Sequence, residues 1–162
     1  MNRILGVDPG SNCTGYGLVV EQGGNVSYEL SGFIRPKRSL SRNQRIRDIF
    51  VSLQRVIDEC SPTHFAIEDI FHSKNVRSAL ALGEARGAAI LAATLAGLPV
   101  FEYAPRDVKL AVTGNGAAHK TQVNFMLGRI LELSPAPENA DESDAIAIAM
   151  CHAFRSNQWS PA

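Results

Sequence analysis

Short apolar runs separated by turn residues fill the first part of the chain. Residues 3–8, 14–21 and 26–34 form three such runs, and Gly23-Gly24-Asn25 separates the second from the third. Apolar runs of this length, bounded by glycine and asparagine, are typical of β-strands. A connection as short as Gly23-Gly24-Asn25 joins antiparallel strands. The chain is therefore predicted to begin with a three-stranded antiparallel meander.

Helical and strand patterns alternate over the rest of the chain. Ser41 and Gln44 have the spacing of a capping box, and an apolar stripe typical of an amphipathic helix follows them. The remaining predicted elements are strands at 64–69 and 100–103 and helices at 76–96, 105–112, 120–133 and from about 141 onward. Strands joined through helices favour parallel pairing. We therefore expect an α/β fold with a mixed five-stranded sheet and helices on both faces.

Length and cysteine usage limit the class of protein. The chain has 162 residues, the usual size of one domain, so a single domain over residues 1–162 is predicted. Its first residues lack a basic stretch followed by an apolar core, so no secretory signal is expected. Cys13, Cys60 and Cys151 are odd in number and have neither metal-ligand nor disulfide spacing. These features favour a reducing compartment, the cytoplasm.

Hydropathy argues against a membrane partner, and the net charge does not by itself indicate a nucleic-acid partner. The most apolar run, Gly87 to Phe101, contains a proline and is too short to cross a bilayer, so no membrane partner is expected. Sixteen basic residues balance sixteen acidic residues, and the formal net charge is zero. A nucleic-acid partner would therefore require the acids to lie together with the bases around them.

Four acidic residues occupy positions that a folded sheet would bring together. Asp8 ends the first predicted strand, and Glu68 lies near the end of the fourth. Asp141 and Asp144 are three residues apart at the start of the last helix, so their side chains share one face. Because strand ends and helix N-termini converge on one edge of such a sheet, one cleft with four carboxylates is predicted.

Clustered carboxylates favour a divalent cation. Carboxylates that lie close together raise one another's pKa, and a bound cation allows them to stay ionised near neutral pH. A site made only of oxygen ligands suits Mg²⁺ or Mn²⁺. Two such ions about 4 Å apart can activate water and stabilise the leaving oxygen of a phosphodiester. The cluster therefore predicts metal-dependent phosphodiester hydrolysis.

Each acid also has an ordinary structural explanation. Asp8 in Asp-Pro-Gly is a common turn residue, and Asp141 suits the dipole of a helix N-terminus. Glu68 and Asp144 are harder to explain in this way, because apolar residues surround both in the sequence. It is the combination of the four acids that favours a metal site.

Basic residues flank the predicted cleft. Lys109 and Lys120 lie on either side of the loop TGNG, and Lys74 and Arg77 follow the fourth strand. These positions could hold phosphates on both sides of the acids, although a solvated surface charge is the alternative for each. Phe71 could stack on bases or, alternatively, belong to the core.

Several stretches of the chain resemble the RuvC family of bacterial Holliday-junction resolvases. They are ILGVDPGSNCTGYG, FAIEDIFHSKNVRSALALGEARGAA, PVFEYAPRDVKLAVTGNGAAHKTQV and ADESDAIAIAMCH. The resemblance extends over nearly the whole chain and implies a ribonuclease-H-like fold. It also implies an Mg²⁺-dependent endonuclease of recombination and repair, which cuts four-way DNA junctions in pairs of symmetric nicks and leaves 5′-phosphate and 3′-hydroxyl ends.

The same resemblance implies roles for individual residues. Four acids would bind the metal and carry out catalysis, with two Mg²⁺ ions per site and Mn²⁺ able to substitute: Asp8, Glu68, Asp141 and Asp144. Phe71 would enter the junction near its exchange point, and Lys109 and Lys120 would contact the DNA backbone. Asp69 departs from the family's pattern, and strand alternation predicts that it points away from the metal site. His72 departs as well.

The family also implies partners. Its members act as homodimers, and SALALGEARGAAILAA at residues 78–93 matches the helix that forms their interface. Work with the RuvA and RuvB branch-migration proteins is implied too. Gly10 and Gly15 are expected to serve the tight turn after Asp8 and a close approach of DNA to the site.

Three alternative functions compete with junction resolution. The nearest is a same-fold nuclease acting on another nucleic acid, such as the YqgF-type enzymes of ribosomal RNA maturation. A nucleotide-binding module of the actin and sugar-kinase type also has Asp-x-Gly near its start, but it needs two lobes, for which this chain has no room. The third is a junction-binding protein without activity, which the intact acids disfavour.

Overall fold

The secondary structure follows the order predicted from the sequence. The computed structural model describes residues 1–69, 75–133, 137 and 139–156. The strands are β1 (Asn2–Asp8), β2 (Thr14–Gln22), β3 (Asn25–Ile34), β4 (His64–Glu68) and β5 (Val100–Tyr103). The helices are α1 (Arg42–Cys60), α2 (Val76–Leu95), α3 (Pro105–Thr113), α4 (Lys120–Ile130) and α5 (Ala140–Ser156). Each strand lies within two residues of its predicted bounds.

The five strands form one mixed sheet in the order β3-β2-β1-β4-β5. β1 pairs antiparallel with β2, which pairs antiparallel with β3, so the predicted meander is confirmed. β4 pairs parallel with both β1 and β5. Because β1 and β4 are parallel neighbours, their last residues, Asp8 and Glu68, lie at the same edge of the sheet.

Helices cover both faces of the sheet, as predicted. On one face, α1 and α2 pack over β1, β2 and β4 around a core that includes Leu53, Phe65 and Ala89. On the other face, α3, α4 and α5 build a second core that includes Leu127 and Ile146. All five of these side chains are at most 1% exposed. The sheet therefore lies between two apolar layers, and the site lies at the edge where β1 and β4 end.

Helix α5 lies directly against the backbone of β1 and β2. A side chain at Gly6 would overlap the backbone of α5 at Ala145 and Ala149, and one at Gly17 would overlap Ile146. Only residues without a Cβ allow this closeness. The contact places the first turn of α5 beside the ends of β1 and β2.

Two helix ends show how local sequence determines the boundaries. Helix α1 begins at the predicted capping box, in which the Ser41 hydroxyl accepts a hydrogen bond from the Gln44 N–H. The prediction that α4 continues to residue 133 is wrong, because the helix ends at Ile130. Glu132 has a φ of 51°, a left-handed conformation that an α-helix cannot contain.

Candidate metal site

Three of the four predicted acids meet at the edge of the sheet. Asp8 is the last residue of β1, and Asp141 and Asp144 lie at the start of α5. Each of them offers one carboxylate oxygen, and these oxygens lie within 4.8 Å of one another. We call these three residues the acid cluster. All three are half-buried, so the cluster remains open on one side.

Electrostatic repulsion is strong at Asp8. Burial raises the pKa of its carboxyl, and the charges of Asp144, Glu68 and Asp141 raise it further, to about 7. Lys120 acts in the opposite direction but does not cancel this effect. A carboxyl group in such surroundings is only partly ionised at neutral pH, and additional positive charge would favour its ionised form. The cluster has the donor set and the excess negative charge of a divalent-cation site.

Glu68 lies beside the acid cluster rather than within the group of three. It is the last residue of β4, next to β1. Burial raises the pKa of the Glu68 carboxyl, and the charge of Asp144 adds to this, while Lys109 and Lys120 oppose it. Glu68 therefore lies close enough to Asp144 for the two charges to influence each other.

Lys120 supplies a positive charge to the acid cluster. Its Nζ donates a hydrogen bond to Asp144 Oδ2 over 2.5 Å. Burial disfavours its charge, but the hydrogen bond to Asp144 and the nearby acids outweigh burial and raise the Lys120 pKa. Lys120 is the first residue of α4, and Lys109 lies on α3. The two lysines that flank the TGNG loop are therefore both close enough to influence the acids.

Gly15 was expected to allow a close approach of DNA, but the structure gives another reason for a glycine at this position. A Cβ at Gly15 would overlap the backbone carbonyl of Asp141, so the residue accommodates α5 rather than DNA. Gly15 also pairs with Asp8 in the register of β1 and β2. The absence of a side chain at this position therefore brings Asp141 next to Asp8. Gly10 does serve the turn, because a side chain there would overlap the Cys13 carbonyl.

Hydrogen bonds that the sequence did not reveal fix the first turn of α5. The Asn139 side-chain carbonyl accepts the backbone N–H of Asp141 over 3.1 Å. On the other side of the turn, the hydroxyl of Ser31 on β3 donates to the buried carboxylate of Glu142 over 2.8 Å. The asparagine two residues before Asp141 is a local signal for such a cap, whereas the contact with Ser31 spans the fold and has no local signal.

Asp69 lies outside the acid cluster, as strand alternation predicted. Its backbone N–H donates to the Tyr103 carbonyl over 2.8 Å, and its carboxylate lies 3.6 Å from Arg86 Nη2. The same guanidinium pairs with Glu102 on β5. Asp69 therefore belongs to a surface ion-pair group behind the site.

The predicted DNA-contact residues are only partly described. Phe71, His72 and Lys74 lie outside the described residues. Arg77 lies in the first turn of α2, after the N-cap Asn75, whose side chain accepts its N–H over 2.9 Å. Its side chain lines a groove between α1 and α2.

Comparison with known proteins identifies the family. The model of the family described as crossover junction endodeoxyribonuclease RuvC matches residues 4–152. The RuvC proteins of Shewanella amazonensis and Pseudoalteromonas translucida are 52% and 50% identical to this chain, and each alignment covers 94% of this chain and 87% of the relative. The solved structure of T. thermophilus RuvC in complex with a Holliday junction substrate is 31% identical, with a TM-score of 0.91 over 98% of this chain and 96% of that one.

These matches confirm the predicted resemblance and the ribonuclease-H-like fold. They favour junction resolution over the RNA-maturation and nucleotide-binding alternatives. The order of the strands, the position of the acid cluster and the matched length agree with one another. The chain belongs to the RuvC family of crossover junction endodeoxyribonucleases.

Proposed function

We propose that this chain is an endonuclease that resolves four-way DNA junctions by paired symmetric nicks, leaving 5′-phosphate and 3′-hydroxyl ends. The observation that carries the proposal is the acid cluster at the edge of the sheet, in a chain of the RuvC family. Carboxylates in this arrangement suit hydrolysis of a phosphodiester far better than binding alone. The proposed setting is homologous recombination and DNA repair in the cytoplasm.

The residues at the edge of the sheet fit a hard divalent cation. Asp8, Asp141 and Asp144 would hold it, with Glu68 completing the set from β4. The donors are all oxygen atoms, as Mg²⁺ and Mn²⁺ prefer, and the raised pKa of Asp8 reflects burial and, after it, the negative charge of the neighbouring acids. When bound, Mg²⁺ supplies activation of water and neutralisation of the phosphate charge, and we propose two ions per site.

The lysines would position the phosphate that is cut. Lys120 already holds Asp144, and its ammonium can exchange that carboxylate for a phosphate oxygen when DNA enters. Lys109 would contact the backbone from α3. Lys74 and Arg77 would hold phosphates on the other side of the cleft, and Phe71 would stack on a base near the exchange point.

Helix α2 would form the interface of a homodimer. Its buried residues in the described range are all alanines, whereas Leu80, Leu91 and Leu95 are 55%, 50% and 65% exposed. Side chains added at Gly83 and Gly87 would meet nothing within 4 Å in the chain itself. Helical glycines cost stability, so their presence on an open surface suits close contact with another helix. A two-fold dimer would present two sites to a two-fold junction.

The apolar character of α2 has a second possible explanation. By length and composition alone, this helix could cross a membrane. Its alanine face, however, shares a core with α1 and with β4, so the helix is part of the folded domain. We therefore propose a protein partner for its exposed face, and no membrane. RuvA and RuvB are proposed as further partners through the family.

The proposed function is tested by incubating the protein with a synthetic four-way junction and with linear duplex of the same sequence, with and without Mg²⁺. Cleavage is expected only of the junction and only with the cation. Glu68→Gln and Asp8→Asn should each abolish cleavage and retain junction binding. Asp69→Asn is the matched control, because Asp69 is adjacent to Glu68 but lies outside the acid cluster. Equal cleavage of junction and duplex would contradict the proposal.

A further inference from the structure

The positive charge of this chain is concentrated in one short segment. Residues 35–47 contain six of the sixteen basic residues and no acidic residue, although the chain is formally neutral. The segment joins β3 to α1 and continues into the first turns of α1. Its six cations are Arg35, Lys37, Arg38, Arg42, Arg45 and Arg47. The proposed catalytic site leaves all six without a role.

Four of these cations line one cleft of about 870 Å³, which we call the basic cleft. Its walls include Asn12, Cys13, Arg35, Lys37, Arg38 and Arg45. Asn12 and Cys13 belong to the loop that follows Asp8 at the end of β1. The basic cleft is therefore built against the same loop that leaves the acid cluster.

The charge in the basic cleft is not compensated within the described ranges 1–69, 75–133, 137 and 139–156. There, no carboxylate lies within ion-pair distance of Arg35, Lys37 or Arg38. Arg45 Nη1 donates to Asn12 Oδ1 over 3.2 Å, while its Nε is buried and lacks an acceptor in this part of the chain. A buried donor without an acceptor is costly.

The start of α1 continues the run of positive charge in this segment. The helix is capped by Ser41, and its first turn contains no acidic residue. The helix dipole disfavours cations at an N-terminus, yet Arg42 and Arg45 lie in its first turns. Arg42 pairs with Glu84 of α2, whereas Arg45 faces the cleft. Cations in the first turns destabilise an isolated helix, so their presence here favours a bound anion near this helix N-terminus.

Side-chain contacts connect the basic cleft to the acid cluster. Cys13 Sγ accepts hydrogen bonds from Arg35 over 3.9 Å and from Asn139 over 3.5 Å. The side chain of Asn139 in turn accepts the backbone N–H of Asp141. On the other side, the groove between α1 and α2 contains Arg45 and Arg77, so positive charge continues from the cleft towards α2.

We propose that the basic cleft binds the sugar-phosphate backbone of a duplex arm of the junction, away from the phosphate that is cut. The inference rests on the proposed function, because it takes DNA as the polyanion already present at the acid cluster. Arginine and lysine contacts to phosphates give affinity without reading sequence. The cleft thus holds an arm in place, whereas the acid cluster and its lysines act at the exchange point.

The test measures junction binding as a function of salt concentration, in an Asp8→Asn background that prevents cleavage. Lys37→Gln and Arg38→Gln together should reduce the slope of log K against log [salt] by about 1.8 for each protomer that contacts an arm, and so by about 3.6 for the proposed dimer, since each phosphate contact contributes about 0.9. Arg55→Gln with Arg129→Gln is the matched control, because it removes the same charge from exposed positions outside the cleft. Thermal melting checks that each variant is folded.

Arm length separates an arm contact from a general loss of charge. With arms of about 20 base pairs the cleft variant should bind more weakly than its parent, and with arms of about 5 base pairs, half a helical turn, the two should bind alike. An unchanged slope, or an equal loss with long and short arms, would overturn the inference. If the wild-type chain failed to cut the junction while the slope still changed, the proposed function would fail and the DNA contact would stand.

Discussion

Burial and three neighbouring carboxylates all oppose ionisation of Asp8. Its carboxyl has a pKa of about 7 instead of the ordinary 3.8, so the folded state binds this proton more tightly than the unfolded chain does. Stability from this group is present at low pH and is lost as the pH rises from about 4 through about 7. Without a cation, Asp8 therefore destabilises the fold at neutral and alkaline pH.

Replacing Asp8 by Asn should stabilise the cation-free protein at alkaline pH. At pH 8 we expect a gain of up to about 4 kcal/mol in the free energy of unfolding, since the fold raises the pKa from 3.8 to about 7 and one pKa unit corresponds to about 1.4 kcal/mol. At pH 4 the gain should vanish, because the wild-type carboxyl is then protonated. Urea unfolding of both proteins in EDTA, at the two pH values, measures the difference.

Mg²⁺ provides the control for this prediction. The cation should stabilise the wild-type protein at pH 8 by mass action and stabilise Asp8→Asn much less, because one ligand is missing. If the wild-type protein were the more stable of the two at pH 8 in EDTA, repulsion within the acid cluster would not be the dominant effect at this residue.

At the scale of elements, the site depends on how closely α5 approaches the sheet. Gly15 of β2 leaves space for the backbone carbonyl of Asp141, and Gly6 and Gly17 do the same for the following turns. A backbone atom cannot avoid an added Cβ by changing rotamer, so the helix itself would have to move. The positions of Asp141 and Asp144 in the acid cluster are therefore coupled to the absence of side chains on the facing strands.

Gly15→Ala should displace the first turn of α5 and separate Asp141 from Asp8. We expect a loss of about 2 kcal/mol or more in the free energy of unfolding, as in overpacked cores, together with a large fall in junction cleavage. Gly128→Ala on α4 is the matched control, because its Cβ would meet nothing within 4 Å. It should stabilise the helix by about 0.5–1 kcal/mol and leave cleavage unchanged. Full cleavage by Gly15→Ala would contradict this account.

The sequence predicted the sheet and the acids well because their signals are local. The turn Gly23-Gly24, the capping box at Ser41 and the helices between strands each specify one connection, and together they leave few topologies. Asp8 and Glu68 were located by the ends of two apolar runs. Their catalytic role is implied by the resemblance to the RuvC family and stays a prediction.

The remainder depends on contacts between distant segments, which a local pattern does not contain. The contact of Gly15 with Asp141 joins β2 to α5, and nothing near Gly15 in the sequence indicates it. The left-handed position after α4 is occupied by Glu132 rather than by glycine, so the sequence contains no signal for the end of this helix. The cations of residues 35–47 are visible in the sequence, but their closeness to the acid cluster appears only after folding.

At the scale of the whole molecule, α2 has an apolar surface that its own fold does not cover. The chain buries five alanines of this helix and exposes three of its four leucines, the reverse of an ordinary core helix. A second copy laid against this face would cover the leucines and use the space at Gly83 and Gly87. The two acid clusters of such a dimer would be related by a two-fold axis.

Leu91→Lys should convert the proposed dimer to a monomer at micromolar concentration, because it places a charge in the centre of the apolar face. Light scattering coupled to size exclusion gives the mass directly. The monomer should bind junction DNA more weakly and lose paired, symmetric cutting before it loses all nicking. Phe125→Lys on α4 is the control, since Phe125 is 67% exposed on another helix. A monomeric wild-type protein would contradict the proposed interface.

Helix α5 follows all the other described elements along the chain, and this order has a consequence for protein synthesis. The acid cluster joins Asp8 to Asp141 and Asp144, which are made more than 130 residues later. A nascent chain that has completed α4 already contains β1 to β5, yet it lacks two of the three carboxylates of the cluster. Under the proposed function, a chain that stops after α4 therefore lacks most of the acid cluster and should not cleave DNA.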